Sequence, residues 1–133
     1  MTVNAEAPRG AAYWDPQADM SAITTHVLDM SRGRPAAGIS VLLERRAGRG
    51  DWHAVGRGDT DVDGRVRELI PDGGPLIPGV YRIKFDTGAY FDALGVQAFY
   101  PEVVVVFEAT PEETHYHVPL LLGPFGYTTY RGT

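Results

Sequence analysis

The chain of 133 residues contains no cysteine. This absence excludes disulfides, thiolate catalysis and cysteine-ligated metals, and it leaves the redox compartment open because either environment suits such a chain. Its 12 basic residues include a single lysine, Lys84, and the net charge is -5. Since nucleic-acid binding depends on blocks of basic residues that neutralise phosphates, we do not expect nucleic acid as a partner.

Long hydrophobic runs are also missing. No apolar stretch approaches the roughly 20 residues needed to span a bilayer, so no membrane partner is expected. Residues 1–20 lack the basic segment followed by an apolar segment that marks a secretory signal, and they show little periodicity. We therefore predict a flexible N-terminal leader at residues 1–20, one domain at residues 21–133, and a cytoplasmic location.

The sequence instead contains 16 glycines and 10 prolines between short runs of alternating or β-branched character. This pattern is typical of an all-β domain. The predicted strands cover residues 22–30, 39–46, 52–60, 65–69, 79–85, 102–108, 115–122 and 126–130. Residues 87–95 combine a possible N-cap, good helix-forming residues and Gly95 just past the expected end of the helix, which predicts the only helix, about two turns long. Strands at this spacing favour two packed antiparallel sheets.

Two predicted strands carry apolar residues on both faces, at residues 103–107 and 118–122. A strand of this kind has both of its faces covered. For residues 103–107 the outer face lies either under the helix or a loop, or in an interface between subunits. The second run has the same character and favours a multimer.

The chain has only four histidines. Strand alternation places Thr24 and His26 on one face of the first strand, and His115 and His117 on one face of a later strand. Arg65 follows a tight turn at residues 61–64 and enters a strand. Taken singly, each histidine is more often structural or merely exposed, and Arg65 is most simply a solvated hairpin arginine.

Two histidines at this spacing can chelate a metal. However, the chain offers no cysteine and no obvious third carboxylate ligand near His115 and His117, so we expect no metal and no other cofactor. His53 has no partner in the sequence and is interpreted as a surface residue.

A series of longer motifs runs through the chain in a fixed order. They are THVLD at 25–29, SRGRPAAG at 31–38, DGR at 63–65, YRIKFDTGAY at 81–90, FYPE at 99–102, HYHVPLLL at 115–122, PFGY at 124–127 and YRGT at 130–133. In these motifs the chain resembles the transthyretin-like 5-hydroxyisourate hydrolases over everything but the leader. It departs from the family at Thr133, where serine is the usual last residue, and at Gly123, where serine is usual.

The resemblance implies a transthyretin-type sandwich of two four-stranded antiparallel sheets with one short helix. It also implies a homotetramer, a dimer of dimers, with active sites in a channel where the dimers meet. The implied reaction is hydrolysis of 5-hydroxyisourate, the product of urate oxidation, to 2-oxo-4-hydroxy-4-carboxy-5-ureidoimidazoline in purine catabolism. A transthyretin-like small-molecule carrier without hydrolase activity is the alternative.

Carried over by motif position, the implied catalytic residues are His26, Arg65 and His117. The residues expected to bind substrate are His26, Arg65, Tyr130, Arg131, Gly132 and Thr133. These types suit the reaction, because a histidine can take a proton from water and an arginine can bind a carbonyl edge and stabilise an oxyanion. Which histidine is the base stays open, with His117 favoured for activating the water.

Overall fold

The computed structural model describes residues 22–133, and the predicted leader at residues 1–20 lies outside this part of the chain. The described elements are β1 (Ile23–Asp29), β2 (Arg34–Pro35), β3 (Ser40–Ala47), β4 (Asp51–Asp59), β5 (Arg65–Val66), β6 (Gly79–Phe85), α1 (Thr87–Ala93), β7 (Val103–Ala109), β8 (Tyr116–Leu122) and β9 (Tyr127–Thr129). A short 3-10 turn spans Pro71–Gly73. Within residues 22–133, no helix has the length and hydropathy required to cross a membrane.

The strands form two sheets, which confirms the predicted all-β architecture with one short helix. One sheet has the order β9-β8-β1-β2, with β5 also pairing with β1, and the other has the order β4-β3-β6-β7. The expected pair of four-stranded antiparallel sheets differs in detail. The first sheet has five strands because the chain at Arg34–Pro35 pairs with the end of β1. It is also not fully antiparallel, since β8 runs parallel to β1.

The helix of the described residues lies within the predicted segment at residues 87–95, and its ends have identifiable causes. Helix α1 begins after Asp86, whose side chain accepts a hydrogen bond from the Ala89 amide at 3.3 Å. Gly95 follows the helix with a φ of 69°, a conformation that glycine adopts without steric cost.

The core lies between the sheets, where the alternate side chains of the inner strands interdigitate. Its members include Ile23, Val27, Val41, Leu43, Tyr81, Ile83, Phe85, Tyr116, Val118, Leu120 and Leu122. The predicted strand at residues 65–69 is paired only at Arg65–Val66. Leu69 is buried but lies beyond the strand, so its burial and not its pairing explains the apolar pattern there.

The sequence left open what covers the outer face of residues 103–107, which lie in strand β7. Val103 and Ala109 at its ends are buried, whereas Val104 is 36% and Val106 is 57% exposed. Among the described residues, therefore, neither the helix nor a loop covers the outer face of this edge strand. This apolar face is available for contact with another chain.

Candidate active site

The two central strands of the five-stranded sheet carry histidines on the face that points away from the core. On β1 the core-facing residues alternate with Thr24 and His26, and on β8 they alternate with His117 and Pro119. In the parallel register Thr24 lies beside His117, and His26 lies beside Pro119. The two imidazoles therefore lie on neighbouring strands, on the same face, and both are partly buried.

Strand β5 brings Arg65 to the other side of His26, because the two residues are partners in the antiparallel register. The turn before β5 is held by Asp61, whose carboxylate accepts hydrogen bonds from the amides of Asp63 and Arg65, each at 2.9 Å. Gly64 has a φ of 77°, and a Cβ there would lie 2.3 Å from the carbonyl oxygen of Val27. The glycine of the DGR motif is thus required for the turn to approach β1.

The C-terminal tail reaches the histidine face at one residue, Gly132. Its amide donates a 2.8 Å hydrogen bond to the carbonyl oxygen of His117. A Cβ at this position would lie 2.7 Å from Cδ2 of His117 and 3.1 Å from Cγ of Pro119. The tail therefore packs directly against the imidazole, and only glycine fits without displacing a neighbour.

The side chain of Arg131 has contacts of its own. The guanidinium of Arg131 donates to Glu113 at 3.0 Å and lies 4.8 Å from the ring centroid of Tyr116. Because Tyr116 and His117 are successive residues of β8, this places Arg131 on the opposite face of the strand from the imidazole. Tyr130 and Thr133 are exposed. Gly132 is thus the tail residue whose contact with His117 the structure describes, and substrate binding by the tail stays a prediction.

The surroundings of His26 and His117 favour the neutral form of both imidazoles. Burial, and then the positive charge of Arg65, lower the pKa of His117, and His115 and His26 lower it further. Burial and Arg65 also lower the pKa of His26, although a hydrogen bond to the main chain of Asp63 opposes the shift. Neutral imidazoles can accept protons near pH 7, while the arginine stays charged.

The other two histidines lie in different parts of the fold. His115 is partly buried and close enough to His117 to affect its pKa, whereas His53 is exposed on β4 in the other sheet. In residues 22–133 there is no group of three or more histidine, cysteine, aspartate or glutamate side chains that could hold a metal ion. Catalysis without a metal stays a prediction.

One motif residue proves to be structural. Asp29, at the end of the THVLD segment, is buried and accepts hydrogen bonds from the amide and hydroxyl of Ser31 at 2.9 and 2.6 Å. Its second oxygen accepts from the hydroxyl of Tyr90 at 2.7 Å. Burial alone would raise the pKa of this carboxyl, but the hydrogen bonds lower it overall. Asp29 fixes the loop after β1 and does not reach the histidines.

Sequence reasoning missed one residue that contacts the site. The hydroxyl of Thr24 lies 2.8 Å from Nδ1 of His117. Alternation had placed Thr24 on the face of His26, but nothing in the sequence showed that β8 would pair beside it. The sequence showed only that Thr24 carries a hydroxyl on the same face as His26.

Comparison with known proteins adds an independent line of evidence. The family model described as "HIUase/Transthyretin family" matches residues 23–132. A protein named 5-hydroxyisourate hydrolase from Salmonella dublin is 43% identical over 111 residues, covering 84% of this chain and 80% of that protein. The structure of Klebsiella pneumoniae 5-hydroxyisourate hydrolase has a TM-score of 0.75 at 33% identity, covering 86% of this chain and 100% of that one. Sea bream transthyretin in complex with thyroxine has a TM-score of 0.78 at 35% identity, covering 84% and 95%.

Proposed function

We propose that this chain, which belongs to the HIUase/transthyretin family, hydrolyses 5-hydroxyisourate to 2-oxo-4-hydroxy-4-carboxy-5-ureidoimidazoline in urate degradation. The observation that carries the proposal is the convergence of two neutral histidines and one arginine on a single face. Strand register brings His26 beside Arg65 and places His117 on the adjacent strand. This set supplies a base, a cation and a second imidazole for one small substrate.

The reaction opens the ring of a cyclic amide with water. The water oxygen bonds to the carbonyl carbon, the carbon–nitrogen bond breaks, and the departing ring nitrogen gains a proton. A neutral histidine that takes the proton from water contributes about 10²–10⁴-fold in rate. Arg65 is permanently charged, so its guanidinium can hold the carbonyl oxygen and stabilise the negative charge that develops on it.

We assign the water-activating role to His117. Burial, and after it the positive charge of Arg65, lowers the pKa of His117, which favours the neutral form that can accept a proton. The resulting imidazolium can pass that proton to the ring nitrogen as the bond breaks, which balances the protons over the cycle. His26 and Arg65, which are partners in the β1–β5 register, then hold the substrate and the developing charge.

A homotetramer built as a dimer of dimers would complete this site. Neither His26, Arg65 nor His117 lines the described grooves of about 900 Å³ and about 430 Å³ in one chain. Charge stabilisation by Arg65 is strongest where water is excluded. The exposed Val104 and Val106 on edge strand β7 support contact between copies.

Light scattering should give the mass of four chains of 14.5 kDa each. A monomer mass at micromolar concentration would rule the assembly out.

The carrier alternative rests on the likeness to sea bream transthyretin in complex with thyroxine. That likeness concerns a scaffold which a carrier and a hydrolase can share, whereas the histidine and arginine set has no role in holding an apolar ligand. A carrier would bind small aromatic ligands and leave 5-hydroxyisourate intact.

The cytoplasmic location remains a proposal that rests on the sequence.

Ultraviolet monitoring of freshly generated 5-hydroxyisourate tests the proposal directly. The protein should accelerate loss of the substrate beyond spontaneous decay, and chelator treatment should leave the rate unchanged because no metal is required. Decay no faster than in buffer would reject the hydrolase and favour the carrier. Activity that disappears with chelator would reject only the metal-free mechanism.

A further inference from the structure

The hydroxyl of Thr24 makes a contact that the predicted catalytic set leaves unused. Thr24 is only 7% exposed, and its Oγ1 lies 2.8 Å from Nδ1 of His117. The two residues are 93 positions apart in the chain. The contact therefore depends on the fold and not on local sequence.

The strand register accounts for this geometry. Thr24 and His117 are direct partners in the parallel β1–β8 pair, so their side chains stand next to each other on the outer face. Threonine is β-branched and stiff about its first side-chain torsion. In a buried position, its hydroxyl is held at a fixed point beside the imidazole.

The contact divides the functions of the two ring nitrogens. Nδ1 faces Thr24, so Nε2 is the nitrogen left to meet water or substrate. A hydroxyl can both donate and accept a hydrogen bond. When Nδ1 carries the hydrogen, the Thr24 oxygen accepts it, and the same bond persists after Nε2 takes up a proton. The ring can thus gain and lose a proton without turning.

We infer that Thr24 is a positioning residue for His117: its hydroxyl holds the imidazole through Nδ1–H and leaves Nε2 as the nitrogen that exchanges the proton of the reaction. The catalytic consequence rests on the proposed hydrolase function. The effect on the tautomer of the imidazole does not depend on it.

The neighbouring Thr25 provides a matched control. It has the same side chain on the same strand, is 1% exposed, and donates from Oγ1 to the carbonyl oxygen of Val118 at 2.6 Å. Because it points to the opposite face of β1, it does not touch His117. Substitutions at Thr24 and Thr25 therefore separate loss of a buried hydroxyl from loss of the contact with the imidazole.

The kinetic experiment uses Thr24→Ser, Thr24→Ala, Thr25→Ser and Thr25→Ala. Both Thr24 variants lose the methyl group, and only the alanine loses the hydroxyl. We expect kcat of Thr24→Ala to fall at least about tenfold below that of Thr24→Ser with little change in KM, since a misplaced base loses transition-state stabilisation. The Thr25 pair should differ in stability, with kcat values within about twofold at a temperature where both are folded.

The second readout is the tautomer of His117, measured by long-range ¹H–¹⁵N NMR correlations of the imidazoles and assigned by loss of signals in His117→Gln. Wild type and Thr24→Ser should show His117 with its hydrogen on Nδ1, and Thr24→Ala should show a mixture of tautomers. If Thr24→Ala does not fold, Thr24→Val takes its place because it keeps the shape of threonine. Equal kcat values in the serine and alanine variants, or an unchanged tautomer, would overturn the inference. An inactive wild type would reject the hydrolase, while the tautomer would still report on Thr24.

Discussion

The two faces of strand β1 carry similar polar residues and use them differently. On the core side, the hydroxyl of Thr25 is satisfied by a main-chain carbonyl, and the carboxylate of Asp29 accepts from Ser31 and Tyr90. On the outer side, Thr24 and His26 border a face that is still partly exposed. Polar side chains whose hydrogen bonds are all made within the protein stabilise the fold. An imidazole with one ring nitrogen left for a ligand can take part in binding or catalysis.

The same contrast continues on β8. Tyr116, Val118 and Leu120 pack between the sheets, while His117 between them faces the tail and the neighbouring Thr24. The inner face is supported by another sheet of the same chain. On the outer face His117 contacts Thr24 and the tail residue Gly132, and we propose that another copy of the chain completes this face. Alternate residues of the same strands thus build the core and form the face that carries the proposed site.

The inner face should show the largest energetic effect. Leu120 is 0% exposed at the centre of β8. Leu120→Ala should cost about 2–5 kcal/mol of unfolding free energy because it leaves a cavity in the core. Denaturant unfolding measures this, and kcat of the folded fraction should stay near wild type. If Leu120→Ala were as inactive as His117→Ala and yet fully stable, the inner face would not serve mainly for stability.

The outer face should show the converse behaviour. His26→Ala, Arg65→Ala and His117→Ala should each lower kcat by at least about tenfold to a hundredfold, a barrier increase of roughly 1.4–2.7 kcal/mol. Melting temperatures should change little because these side chains are partly exposed. His53→Ala, at an exposed position in the other sheet, is the control. Equal losses at His53 and His117 would mean that the outer face is not a specific site.

The tail should matter for activity more than for stability. Gly132→Ala places a methyl group 2.7 Å from Cδ2 of His117, so the ring or the tail must shift. Removal of residues 130–133 deletes the same contact and few buried apolar atoms. Both changes should lower kcat, by about tenfold or less, with little loss of melting temperature. Wild-type turnover in the truncated protein would show that the tail does not shape the site.

The smallest of these effects should be the dependence of kcat/KM on pH near neutrality. Burial and Arg65 lower the pKa of His117 below its ordinary value of 6.5. Protonation removes the base, so kcat/KM should be level near pH 7 and fall only as pH drops through this lowered pKa.

Arg65→Ala serves as the control for this pH profile. Because removal of the guanidinium relieves its repulsion of the imidazolium, the acid limb of the residual activity should move upward. A wild-type limb at or above pH 6.5 would contradict the electrostatic account of the outer face.

The strands and the helix could be predicted because their signals are local. Alternation of apolar residues marked β1, β3, β6 and β8 within a residue or two. The same alternation correctly put His26 and Thr24 on one face. The motif match named Arg65 and His117, whose contacts depend on pairing between segments far apart in the chain. The side chain of Arg131 contacts Glu113 and Tyr116, which no local pattern reveals.

By itself, the sequence determined the all-β class, the positions of most strands and the residue types of the site, because a period of two and the turn residues act over a few neighbouring positions. Only the tertiary structure decided that β8 runs parallel to β1, that Arg34–Pro35 adds a fifth strand, and that Thr24 meets His117. These outcomes depend on which faces and edges are buried together when the whole chain packs. Alternation assigns a residue to a face, but it carries no information on which distant strand will lie beside it.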